Sequence, residues 1–194
     1  MILFKDLSYV FEYNKSYAII GKNGIGKSTL AKILIGITSY NTGYIQYYNH
    51  ILKYHYSLDT IYKHLSIVLP SVSLIENIDY KDIIKFHFIF KNKYSQKEID
   101  QDIQQCNLAQ YKNILYKNMS DGIKQKLKLL LAFNTNSSII ILDEPTMYLD
   151  KDGLIWYEEK LIKYLNKKKL IIIFSNNKNE YKFCENILNL NNYA

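Results

Sequence analysis

Four short apolar runs punctuate the chain, each about one strand long: Tyr17-Ala18-Ile19-Ile20, Ser66 to Leu69, Ser138 to Leu142 and Leu170 to Phe174. They are continuously apolar rather than alternating, the pattern of strands covered on both faces in a parallel sheet. The first run stops at a glycine-rich turn. Beyond that turn, from Lys27 to about Ile35, apolar Leu30, Ile33 and Leu34 recur at helical spacing. From Ile75 to about Phe133 the pattern is helical, and Ser95-Gln96-Lys97-Glu98 supplies an S-x-x-E helix start. The two prolines, Pro70 and Pro145, both follow strand-like runs. The pattern predicts an α/β fold with a mostly parallel sheet, from which a helical subdomain projects.

Composition narrows this picture. A chain of 194 residues, 48% of them hydrophobic, suits one domain with a substantial core. Its longest apolar stretches are strand-sized, well short of the ~20 residues a spanning helix needs. The start, Met1-Ile2-Leu3-Phe4-Lys5-Asp6, meets charges too early for a secretory leader, so a cytosolic protein is expected. Cys106 and Cys184 form no C-x-x-C pair and are expected as reduced thiols. The formal net charge of +7 comes entirely from lysine, beside many Asn, Ile and Tyr residues. That composition fits an AT-rich coding genome better than a phosphate-binding face, and no nucleic-acid partner is expected. Lys163, Lys167, Lys168 and Lys169 cluster at an expected helix end, where cations favour the negative dipole end.

The segment Gly21-Lys22-Asn23-Gly24-Ile25-Gly26-Lys27-Ser28, followed by Thr29, satisfies G-x-x-x-x-G-K-[ST] between a strand and a helix. Glycines let the backbone curl so that successive N–H groups face phosphate oxygens, and the helix start adds its positive dipole end. Lys27 can reach the β- and γ-phosphates of ATP, and the Ser28 hydroxyl can ligate Mg²⁺. The competing reading is a structural glycine turn with an incidental lysine. A second constellation, Asp143-Glu144, ends an apolar run. Asp143 is placed to hold Mg²⁺ and Glu144 to act as general base on a water. Alone, two acids after a strand are as often a polar loop start.

Met119-Ser120-Asp121-Gly122-Ile123-Lys124-Gln125-Lys126-Leu127 resembles the L-S-G-G-Q signature of ABC ATPases, one helix upstream of the acidic strand. Glu144 to Asp150 resembles that family's E-P-T-x-x-L-D stretch, and Asn41-Thr42-Gly43-Tyr44-Ile45 its T-S-G-x-I turn. Leu74-Ile75-Glu76-Asn77-Ile78 resembles its T-V-x-E-N, and Glu180 to Leu190 its closing segment. The resemblance implies a P-loop core over 1–71 and 134–194, with antiparallel strands in the N-terminal part and a helical subdomain over about 72–133. It implies a dimer of cassettes in which Ser120 and the Gly122 backbone meet the γ-phosphate of ATP held by the opposite subunit. It also implies a separate membrane permease that holds the chain at the inner face of the membrane. The stretch between Glu76 and Lys126 looks most like exporter-type subunits for peptides or drugs.

Four departures accompany the resemblance. Ser71 stands where the family has a metal-touching Gln, and Asn176 where it has the switch His. Asn cannot carry a proton, which predicts slow hydrolysis. Asp121 and Ile123 replace signature residues, and the start comes too late for the usual adenine-stacking aromatic, leaving Phe4, Tyr9, Phe11 or Tyr13, each expected to pack in an N-terminal hairpin. Alternatives are a partly degenerate half of a heterodimer, a soluble ABC protein acting on ribosomes or DNA, and a small-molecule kinase or GTPase on the same loop.

Overall fold

A computed structural model describes residues 3–50 and 52–193. Met1 and Ile2, at the start of the segment read for a leader, lie outside the described residues. In chain order the elements are β1 (Ser16–Ile20), α1 (Lys27–Leu34), β2 (Tyr47–Asn49), β3 (Tyr54–Tyr56), α2 (Leu58–Ile61), β4 (Leu65–Val68), α3 (Tyr80–Phe90), α4 (Gln96–Gln105), α5 (Asp121–Asn134), β5 (Ile139–Asp143), α6 (Lys151–Leu165), β6 (Leu170–Phe174), α7 (Lys178–Tyr181) and β7 (Asn186–Asn189). Short 3₁₀ turns fill several of the connections.

Five strands form one sheet in the order β4-β5-β6-β1-β7, and every pairing is parallel. The side-chain period of two divides the sheet residues between two cores. Ala18, Val68, Ile140, Leu142, Ile171 and Ile173 face one layer, which contains α3 to α6. Tyr17, Ile19, Ile141, Ile172 and Phe174 face the other, against Leu30, Ala31 and Leu34 of α1. Coverage on both faces is why the four runs read as continuous apolar stretches rather than alternating ones.

The antiparallel strands are β2 and β3, paired Tyr47↔Tyr56 and Asn49↔Tyr54. Residues 3–15 carry no strand, so the expected N-terminal hairpin does not form there. Asp6 and Asn14 both adopt positive φ (56° and 62°), which interrupts an extended run. The segment packs through Phe4, Leu7 and Phe11 on the α1 side of the sheet. Tyr9, Phe11 and Tyr17 stack edge-on or tilted, with centroids 5.0–5.9 Å apart.

Between β4 and β5 the chain builds its helical arm. Asp79 caps α3 by accepting from Lys81 N and Asp82 N, and Ser95 caps α4 by accepting from Glu98 N at 3.1 Å. The arm reaches the sheet through α5, where Leu127, Leu129 and Leu130 are wholly buried. A seam of charge joins α4 to α6. Asp102, fully buried on α4, pairs with Lys160 and accepts hydrogen bonds from Trp156 Nε1 (3.2 Å) and Asn134 Nδ2 (2.6 Å). A buried carboxylate needs such partners, because desolvation costs several kcal/mol when left uncompensated. Glu98 meets Lys163 at 2.8 Å and Lys167 at 3.9 Å, and Lys167 also sits 3.1 Å over the Tyr94 ring. Two lysines of the expected solvated helix end are therefore tied to the arm. Cys106 and Cys184 are free thiols, each pushed up to about 12 by burial. Among the described residues no helix is long and apolar enough to cross a membrane.

Candidate functional site

The site is built on the end of β1 and the start of α1. Gly26 is the N-cap of α1 at φ 110°, a left-handed conformation that strains any residue with a Cβ. A Cβ there would also lie 3.2 Å from the Phe4 ring. No side chain caps this helix, whereas Asp79, Ser95, Ser120 and Asp150 cap α3, α4, α5 and α6. The first intrahelical bond runs from Leu30 N to Gly26 O (2.8 Å). The N–H groups of Lys27, Ser28 and Thr29 therefore have no partner within the helix and are suited to an anion. Lys27 is buried, and its Nζ donates to Gly21 O at 2.8 Å and more weakly to Lys22 O at 3.5 Å.

The loop is braced from the far end of the chain. Gly21 N donates to Asn176 Oδ1 and Asn176 Nδ2 to Asn23 Oδ1, both at 3.1 Å. Lys22 N donates to Asn191 Oδ1, also at 3.1 Å.

Asp143 closes β5 and is 1% exposed, yet among the described residues neither carboxylate oxygen has a hydrogen bond of normal geometry. Burial raises its pKa, while the Ser28 hydroxyl and the Lys27 charge pull it down. A buried carboxylate with both oxygens unclaimed beside a serine hydroxyl fits a hard, oxygen-liganded cation such as Mg²⁺. Glu144 follows at φ 45°, half-buried, with its N–H donating to Phe174 O at 2.9 Å. Burial raises its pKa first, then the charges of Glu180 and Asp143; Lys27 and Ser175 oppose the shift. A carboxylate raised in this way is a better proton acceptor. Ser175 Oγ donates to Glu144 Oε2 at 3.3 Å.

The start of α5 is held differently. Ser120 caps it, accepting from Ile123 N at 3.4 Å. Gly122 lies so close to the 145–150 loop that a Cβ would sit 2.7 Å from Tyr148 O. Gln125 Nε2 donates to Pro145 O at 2.8 Å, and buried Lys126 pairs with Asp150 at 2.8 Å.

Residues 4–147 match the ABC transporter family. The chain belongs to that family. It is 35% identical over 186 residues to YydI of Bacillus subtilis, named for peptide export ATP binding, covering 94% of this chain and 80% of the relative. It is 30% identical over 182 residues to the energy-coupling factor transporter ATP-binding protein EcfA of Aster yellows witches'-broom phytoplasma. That match covers 88% of this ABC chain, which spans 64% of the relative's length. In fold it is similar to a bacterial ABC transporter cassette solved as a dimer, with a TM-score of 0.78 at 20% identity, covering 96% of this chain and 85% of the cassette. These likenesses agree with the expected α/β core carrying an antiparallel pair and helices.

Within this ABC cassette, Gly21 to Thr29, Asp143, Glu144 and Asn176 converge at the carboxyl ends of β1, β5 and β6, where open parallel sheets bind ligands. Ser120 and Gly122 belong to a second cluster, at the start of α5, which is stapled to the 145–150 loop. Ser71 sits exposed in the turn closed by Val72 N to Leu69 O, and no hydrogen bond among the described residues joins it to Ser28 or Asp143. Asn176 braces the phosphate loop, and the neighbour that touches Glu144 is Ser175. No motif in the sequence marks Ser175, and Glu180 falls only within the closing segment. Glu180 is 2% exposed, and its Oε1 accepts from both the amide and the hydroxyl of Thr146. No local pattern marks it, since residues 176–179 and 182–183 around it are exposed and its partner Thr146 lies 34 positions away.

Proposed function

We propose that the chain is the ATP-binding and ATP-hydrolysing subunit of an ABC transporter, working as a dimer of cassettes on a separate membrane permease. One observation carries this reading: an uncapped helix start with Lys27 across its loop lies beside an unpartnered Asp143 and a Glu144 of raised pKa. The free N–H groups and Lys27 receive the phosphates. Ser28 and Asp143 would hold Mg²⁺, which supplies charge neutralisation on the phosphate oxygens when bound. Ser71, whose hydroxyl has a shorter reach than a glutamine, would meet it through a metal-bound water. Glu144 takes the proton of the attacking water. Asn176 steadies the loop and cannot relay a proton, so hydrolysis is slow.

In the dimer, Ser120 and the Gly122 backbone of one copy meet ATP bound by the other. Residues 72–133 form the arm that moves against the permease, and the core comprises 1–71 and 134–194. The permease would hold the chain at the inner face of the membrane, with no nucleic acid involved. Export of a peptide or similar substrate is the reading that the likeness to YydI supports.

The test is Glu144→Gln, scored by ATP binding and turnover in the full chain. Binding is expected within about twofold of wild type, and kcat should fall ~100-fold or more. Undiminished turnover would remove Glu144 as the base. Strong stimulation of the wild type by ribosomes or DNA would overturn the transport reading.

A further inference from the structure

We propose that Glu180 is a positioning residue for hydrolysis: by gripping Thr146 it fixes the turn that carries Glu144. The inference rests on the ATPase reading above. Glu144 is the first residue of a turn closed by Met147 N to Glu144 O (3.2 Å) and Leu149 N to Thr146 O (3.1 Å). Both Glu144 and Tyr148 in this turn hold positive φ, 45° and 67°. Such conformations cost about 1–3 kcal/mol each and persist only where surrounding contacts over-determine them.

Beside the bond from Gln125 to Pro145 O, a further contact that over-determines this turn comes from α7. Glu180 Oε1 accepts from Thr146 N (2.9 Å) and from Thr146 Oγ1, so one buried oxygen satisfies both donors of the residue two positions beyond Glu144. Glu180 is itself held, since its main-chain carbonyl accepts from Tyr157 OH at 3.0 Å, and Tyr157 is wholly buried on α6. α7 is four residues long and hangs directly from Ser175 and Asn176. The stretch 175–180 therefore contacts Glu144 through Ser175, the phosphate loop through Asn176, and the Glu144 turn through Glu180. Charge-assisted hydrogen bonds to a buried carboxylate are roughly twice as strong as neutral ones. A glutamate on an anchored helix suits the grip for that reason. Glu180 acts through Thr146 and need not touch nucleotide.

Three variants of the full chain test this. Glu180→Ala removes the grip, Glu180→Gln keeps an acceptor oxygen, and Thr146→Val removes one donor while preserving shape. Glu180→Ala is expected to lower kcat ~10–100-fold, as displacement of a catalytic group does, with the nucleotide Kd within about twofold. Glu180→Gln should recover most of the rate, and Thr146→Val should fall between them. On a Glu144→Gln background, Glu180→Ala should cost nothing further, because residues that act through one another are non-additive. An unchanged kcat overturns the proposal. So does a parallel loss of nucleotide affinity, or a full additive loss on the Glu144→Gln background. Should Glu180→Ala fail to fold, Glu180→Gln and Thr146→Val decide, and wild-type kcat in both would overturn the proposal. A wild-type chain that neither binds nor hydrolyses ATP would instead sink the functional reading itself, an outcome visible before any variant is made.

Discussion

Two helix starts in this molecule, those of α1 and α5, are built on opposite plans. The start of α1 has no cap of its own and is shaped by backbone: Gly26 in a left-handed conformation, with Lys27 across the carbonyls of Gly21 and Lys22. The start of α5 carries its own cap, Ser120, and is shaped by its neighbour: Gly122 against Tyr148 O, Gln125 on Pro145 O, Lys126 on Asp150. The first plan leaves donors free and makes a strong local site. The second ties the helix to the loop that follows Glu144, so the proposed dimer surface would be mechanically continuous with the turn that carries Glu144.

The contrast can be broken most sharply at Lys27. Lys27→Ala should weaken ATP binding ~100-fold, about 2.7 kcal/mol, in an equilibrium titration of the single subunit. It should leave the α5 start undisturbed, as judged by amide exchange of residues 121–126. A comparable loss of exchange protection at α5 would mean that the two starts are one unit.

Gly122→Ala probes the other plan. The added Cβ meets a backbone oxygen at 2.7 Å, which cannot swing away as a side-chain tip would. A loss of about 1–3 kcal/mol in a urea melt is expected, with ATP affinity of the single subunit unchanged. Equal stability would show that the 145–150 loop yields freely.

The smallest effect should come from Asp150→Asn, which preserves an N-cap for α6 while removing the charge opposite Lys126. Asp150 is largely exposed, so solvent screening should hold the cost below about 1 kcal/mol. That cost should shrink as salt is added. A larger, salt-independent loss would mark the pair as the main fastener of the staple.

How much of this was readable in the sequence depends on the range over which each feature is encoded. The four apolar runs became β1, β4, β5 and β6 within a residue at each end, because burial on both faces writes itself into consecutive positions. The phosphate loop was equally plain, since its glycines, lysine and serine stand within one turn. β7 was not read as a strand: Asn186 and Asn189 flank a short apolar pair at the sheet edge, where only Leu188 is buried. The expected N-terminal hairpin was misplaced, because aromatic content alone does not reveal the positive φ at Asp6 and Asn14. The hidden part of the site is long-range. Glu180 and Thr146 are 34 positions apart, and Ser175 and Glu144 are 31 apart. No local period joins such pairs; only the packing of α7 over the end of β5 does.

One further property comes with the Asp102 seam. Its hydrogen-bond partner Trp156 is the chain's single tryptophan, and it is buried where α4, α5 and α6 meet. Indole emission responds to the polarity and charge around the ring, so the protein carries its own optical gauge at the boundary between arm and core. Any swing of the arm that parts Asp102 from α6 would register as a change in intrinsic fluorescence, without a label.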